Sequence, residues 1–323
     1  IIPSVLQATQ NVFLSGVMTT MGGGISLEAV RACAEVIHKS ATISPDGFAN
    51  LRFAALANVL PGAPFFPAAY HSGEKPGFGL AIEAADLAVE VFTSAESLAE
   101  AKNTLIACIE QHAKKLTRVA QELYRQLDVP FNGIDFTLAP FPELSTSIGT
   151  AIERLGVPSM GCHGTLAAAA FITDALDSAR FQRAGFNGLM LPVLEDSTVA
   201  NRASEGLFTL NELLLYSAVC GTGLDCVPLP GDIRVEQIKA ILLDLAALAQ
   251  RLDKPLTARL MPIPGKAAGD PTQFEFEYFA NSRVLPILAE PLKGLLGGNE
   301  NFLLASIMAA RGGKTNRRCR DES

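Results

Sequence analysis

Two kinds of apolar pattern alternate along the chain. Long segments place apolar residues at i, i+3 and i+4, and short runs are apolar almost continuously. The first kind predicts helices over Ser26–Lys39, Leu80–Phe92, Ser94–Leu127, Thr146–Leu155, Thr165–Ala179, Thr209–Ala218, Val235–Leu252 and Gly294–Ala310. Ser26 follows Gly22, Gly23 and Gly24 and suits an N-cap, because its hydroxyl can accept from a first-turn N–H. The second kind predicts extended segments at Leu51–Val59, Gly133–Pro140, Phe186–Asp196 and at the start of Leu256–Asp270. Each runs into a loop of Pro, Gly and polar residues.

Strands that are apolar on both faces and separated by helices imply a mostly parallel sheet covered by helices. An open doubly wound sheet and a closed barrel satisfy the pattern equally. No low-complexity linker divides the chain, so residues 1–311 are expected to form a single α/β domain, with 312–323 (GGKTNRRCRDES) a disordered polar tail. The chain starts without Met, and an upstream piece is expected.

Composition narrows the possibilities. The 323 residues are 49% hydrophobic, enough for a large core. The greasiest windows, Thr165–Ile172 and Ile241–Ala249, are broken well short of the roughly 20 residues that a spanning helix needs. A net charge of −7 argues against nucleic acid or an anionic membrane as partner, since both are held by clustered Lys and Arg. A small-molecule ligand is the expected partner, and the apolar composition is compatible with a homo-oligomer. The six cysteines (33, 108, 162, 220, 226 and 319) include no CxxC pair, and no export signal is visible. Free thiols in a cytoplasmic protein are therefore expected.

In parallel α/β folds the ligand lies beyond the carboxyl ends of the strands. The loops there carry the candidate chemistry. One is VCGTGLDCVPLPGD (Val219–Asp232), read as a loop between two regular stretches. Its Gly221 and Gly223 can turn backbone N–H groups toward a ligand, Cys220 is a candidate nucleophile, and Asp225 can orient a base or bind a metal. For Cys226 simple packing is the stronger reading, and for Asp232 an N-cap or first-turn acid of the helix that follows. His163, in MGCHGT before a helix, and His71, after PFFPAAY, are candidate acid/base groups, with a surface loop histidine as the bland alternative. Asp135 sits on its strand, Glu195 ends another, and Asn58 follows a third. Arg259 lies inside an apolar strand, and a buried guanidinium needs a carboxylate or an anionic ligand. Lys266 is a second point charge for an anion. Glu83, flanked by Ile and Ala, is a weaker candidate.

HExxH, GxSxG, GxGxxG after a strand and the Walker order are all absent. The blocks LRFAALANVLPGAPFFPAAYH, GIDFTLAPFPE, CGTGLDCVPLPGD and TARLMPIPGKAAGD, in that order over about Gly16 to Leu288, resemble the bacterial and archaeal proteins grouped as domain of unknown function 711. The resemblance implies a large α/β barrel similar to that of pyruvate formate-lyase and other glycyl radical enzymes, and no settled activity. Two marks of those enzymes are missing: ARGGKTN does not match the radical-glycine motif, and no two cysteines are adjacent. The resemblance therefore implies the barrel and a central loop, with Cys220 as its thiol by position, and no radical chemistry.

The expectation is an enzyme acting on a small anionic metabolite. Cys220, His163, Asp225, His71 and Asp135 would be the catalytic set, and Arg259, Lys266, Asn58, Gly221 and Gly223 would hold the ligand. The alternatives are a divalent-metal enzyme using Asp135, Glu195 and Asp225, and a metabolite-binding protein that catalyses nothing.

Overall fold

The computed structural model describes residues 1–20, 22–65, 68, 72–73 and 75–307. Its helices are α1 (Ile2–Ala8), α2 (Leu27–Ser40), α3 (Ala85–Ser94), α4 (Leu98–Leu127), α5 (Ile148–Arg154), α6 (Thr165–Ser178), α7 (Ser197–Glu205), α8 (Leu210–Tyr216) and α9 (Val235–Leu252). The strands are β1 (Leu14–Thr20), β2 (Gly24–Ser26), β3 (Phe53–Ala57), β4 (Phe78–Ala81), β5 (Phe131–Asp135), β6 (Gly223–Pro230), β7 (Leu256–Ile263) and β8 (Asn301–Phe302).

The helices start where the side chains dictate. Ser26 Oγ accepts from Ala29 N at 3.1 Å, and α2 then buries Leu27, Val30, Ala34 and Ile37 along one face. Ser97 does the same for α4, whose buried Ala101, Leu105, Ile109 and Ala113 repeat every four residues. The predicted Leu80–Phe92 helix divides: Phe78–Ala81 pairs with β5 as a strand, and the helix begins at Ala85. Helix α9 spans Val235–Leu252 as predicted, but Arg234 is its N-cap residue, with the Gln237 side chain accepting from Arg234 N at 3.0 Å. Asp232 is left exposed in the preceding turn. In place of a helix over Gly294–Ala310, the described residues there form a 3-10 turn at Gly294–Gly297 and strand β8. The 312–323 tail lies outside the described residues. No described helix is long and apolar enough to cross a membrane.

The main sheet has the order β6-β7-β3-β1-β2-β8. β6 and β7 are parallel, β3 and β1 are parallel, and the two pairs meet antiparallel where β3 joins β7. A smaller parallel sheet, β4-β5, is linked to it by residues 183–192. Ile134 bridges Arg183, Leu138 bridges Leu189 and Pro192 bridges Asp225, all in parallel. The predicted Phe186–Asp196 strand is thus an irregular ribbon between β5 and β6. The architecture is a mixed α/β sheet with helices packed on it. Among the described residues no pairing closes the sheet into a barrel.

The largest correction concerns Val219–Asp232. Its middle is not a loop: β6 is a strand buried at every position, between the 183–192 ribbon and β7. The residues that read as a loop belong to an irregular strand. Cys226 has φ of 42° where the β6–β7 register shifts between Leu224 and Val227, the mark of a bulge. Beyond the bulge Pro228 still offers its carbonyl, which accepts from Leu285 N at 2.9 Å.

Candidate functional site

Residues Leu224 of β6 and Ala258 of β7 are register partners, so Asp225 and Arg259 follow side by side on one face. Burial leaves the guanidinium no water to bind, and it takes carboxylates instead. Arg259 Nε donates to Asp225 Oδ1, and Nη2 donates to Asp225 Oδ2 at 2.8 Å and to Glu195 Oε2 at 2.7 Å. Asp225 therefore grips two guanidinium nitrogens with both oxygens, a geometry that fixes direction as well as charge. Glu195 comes from the end of the 183–192 ribbon and shares Nη2. The bulge adds Cys226, whose thiol hydrogen-bonds Glu195; ligand atoms of Glu195, Asp225 and Cys226 all lie within 4.8 Å of one another.

The acids differ in access. The Asp225 side chain is 0% exposed and the Glu195 side chain 21%. Burial raises the Glu195 pKa above its ordinary value; Arg259 opposes this and the Asp225 charge adds to it. Burial also pushes the Cys226 thiol well up, so it stays protonated. Burial works against the charge on Arg259, but the Asp225 and Glu195 charges outweigh it and keep the cation.

Glu195 and Arg259 form part of the wall of a cavity of about 230 Å³. Glu83 and the rings of Phe13, Phe141, Phe276 and Tyr278 line the same cavity. Phe141 and Tyr278 meet edge to face at 5.6 Å, and Phe276 lies 5.1 Å from Tyr278.

The other candidates are not brought to this cavity. Asp135 is fully buried, and its oxygens accept from Thr137 Oγ1 (2.5 Å), Phe186 N (2.8 Å) and Asn187 N (2.9 Å). Burial raises its pKa against those three bonds, and its role is to hold the ribbon to β5. Cys220 is 1% exposed before β6, where its carbonyl accepts from Lys254 Nζ. Gly221 crosses Gly188 so closely that a Cβ on Gly221 would lie 2.1 Å from the Gly188 Cα. Gly223 has φ of 105°, and a Cβ there would meet Thr257 O at 2.4 Å. Both glycines are occupied by neighbouring backbone. His163 is exposed before α6 and makes no hydrogen bond with another described residue. His71 lies outside the described residues.

Strand direction separates the rest. Asn58 follows β3 and Lys266 follows β7, and because these strands are antiparallel, the two residues stand at opposite ends of the sheet. Asn58 helps to line a second cavity of about 720 Å³ with Lys75, Asn132 and Arg183. Its own side chain donates to Ala249 O at 3.0 Å and accepts from Gln250 Nε2 at 3.1 Å. Neither cavity is lined by Cys220, His163 or Asp135.

Sequence reasoning named Arg259, Asp225 and Glu195, which the fold brings together, gave little weight to Glu83 and Cys226, and did not name Phe13, Phe141, Phe276 or Tyr278. A signal for the last two exists in QFEFEYF (Gln273–Phe279), where aromatic and acidic residues alternate.

The model of the family described as Uncharacterised ACR (DUF711) matches residues 1–280, which include every residue of the Arg259 cavity named above. A UPF0210 protein of Pyrobaculum aerophilum is 38% identical over 260 residues, covering 76% of this chain and 56% of that protein. One of Pyrobaculum islandicum is 35% identical over 288 residues, 83% of this chain and 61% of the relative. One of Neisseria meningitidis is 30% identical over 281 residues, 84% and 62% respectively. The chain spans about three-fifths of the length of these curated relatives.

Proposed function

The chain belongs to the DUF711 family of uncharacterised proteins, and on that footing we propose that it works as an enzyme on a small molecule bound over Arg259. Glu195 is the proton-transfer group. One observation carries this reading: a buried guanidinium is shared by two carboxylates, and of the two only Glu195 reaches the cavity. Burial holds its pKa above the usual carboxylate range, which moves it toward the pH at which an acid can also act as a base. Asp225 orients Arg259, Arg259 holds Glu195 Oε2, and the Cys226 thiol gives Glu195 a further hydrogen bond. Bound substrate would exchange a proton with Glu195 in a cavity partly walled by aromatic rings.

The test is a thermal-shift panel of metabolites, followed by turnover of each hit by wild type and by Glu195→Gln. The variant should keep binding and lose roughly a hundredfold or more in turnover. Equal turnover by the two proteins removes Glu195 from the mechanism. Hits that bind but are never turned over make the protein a metabolite-binding one.

A divalent-metal site is the second reading, favoured by the spacing of Glu195, Asp225 and Cys226. An ion there would compete with Arg259, which already occupies both Asp225 oxygens. Calorimetric titration with Mn²⁺ decides it: saturable binding that Asp225→Asn abolishes supports the metal, and its absence in wild type ends the reading.

A further inference from the structure

We infer that the ligand of the Arg259 cavity is a small organic cation, an amine or a quaternary ammonium ion, rather than an anion. This rests on the reading of the cavity as the active centre and names the class of molecule that it takes.

Charge is the first reason. Among the described residues, three carboxylates (Glu83, Glu195 and Asp225) stand at or beside the cavity, against one guanidinium, that of Arg259. The Nε and Nη2 donors of that guanidinium are already given to Asp225 and Glu195. An arriving anion would face excess negative charge with the fork it needs already engaged. An arriving cation meets two acids with capacity to spare. Glu83 is exposed at the cavity and its side chain has no hydrogen-bond or ion-pair partner among the described residues, so its carboxylate is open to a bound cation. Glu195 shares Arg259 with Asp225.

The rings are the second reason. Phe141, Phe276 and Tyr278 form one connected aromatic wall, with neighbouring centroids 5.6 and 5.1 Å apart. The face of an aromatic ring carries negative charge and attracts an alkylammonium group, most strongly where water is scarce. A metal ion, by contrast, draws on oxygen, nitrogen and sulfur ligands and gains nothing from such a wall. Acids and rings that line one cavity complement a group that is both charged and greasy.

Size is the third. At about 230 Å³ the cavity lies below the roughly 300 Å³ at which drug-sized pockets begin, so the ligand is small.

Choline and its neutral isostere 3,3-dimethylbutanol separate charge from shape, and acetate serves as the anion. Binding is read from Tyr278 and the phenylalanines by ring-proton NMR. Choline or methylamine should bind saturably at least about tenfold more tightly than the alcohol, and acetate should not bind. Tyr278→Leu removes an exposed ring without disturbing the core and should weaken choline by roughly 3- to 30-fold. Glu83→Gln should weaken it while leaving the alcohol unchanged. Equal binding of choline and the alcohol, preference for acetate, or no saturable binding of either cation overturns the inference. None of these outcomes bears on the proton-transfer role, which stands or falls on Glu195→Gln turnover.

Discussion

Glu195 and Asp196 are adjacent in the chain and point into different worlds. Asp196 Oδ1 accepts from Ser147 Oγ (2.6 Å), Thr198 N (2.9 Å) and Val199 N (2.9 Å); Oδ2 accepts from Ile148 N (2.7 Å) and Gly149 N (3.3 Å). One oxygen caps α7 and the other covers the start of α5, so a single fully buried carboxylate ties two helix N-termini together. Every lone pair is engaged, mostly by backbone. Glu195 is instead held by side chains, Arg259 and Cys226, and its carboxyl group faces a cavity. Two buried acids with raised pKa values thus differ in kind. What separates a structural acid from a chemical one here is who donates to it and whether space remains beside it.

The sharpest way to break the comparison is to remove one partner on each side, the donor Arg259 or the acceptor Asp196. Arg259→Met leaves Asp225 and Glu195 facing each other without a cation and should cost about 3–5 kcal/mol in urea unfolding. Asp196→Ala strands buried N–H groups at two helix starts and should cost about 2–4 kcal/mol. Asp196→Asn should recover part of this, because its one oxygen can still cap α7, while its NH2 group, itself a donor, leaves the Ile148 and Gly149 N–H groups unsatisfied. The two changes must also differ in function. Asp196→Ala, assayed where it remains folded, should bind choline like wild type. A loss of binding there would mean that the two acids are one unit after all.

How much of this was legible depends on which physical signal each element carries. Ser26, the α4 and α9 periodicities and the lone arginine in an apolar strand are local, and local readings of them survive. Arg259 stood out because its charge contradicts its neighbours, a conflict that persists in the fold and needs a partner. The direction of β3 is not local. Nothing in Leu51–Val59 says that it runs against β7, and that one reversal sends Asn58 and Lys266 to opposite ends of the sheet. The prolines and glycines of Val219–Asp232 misled for a related reason: a bulged strand and a loop demand the same residues. Gly221 tests that reading. Gly221→Ala forces a methyl group onto the Gly188 backbone and should cost about 1–3 kcal/mol or more, whereas a glycine kept for an open ligand loop would tolerate it.

The smallest expected effect is also the most specific to Glu195. Its pKa is raised above 4.5 in the fold, so the folded protein holds this proton more tightly than the unfolded chain does. The stability that this contributes is fully present below pH 4.5 and is lost as pH rises through the folded value. Glu195→Gln cannot titrate and loses nothing over that window. The stability of wild type minus that of the variant, measured by urea unfolding at each pH, should therefore fall with rising pH, then level off. A saturating concentration of choline should move the fall to lower pH, because a bound cation favours the ionised carboxylate. A difference that rises with pH would mean that Arg259 outweighs burial at Glu195 and that its carboxylate is held charged for the sake of the fold.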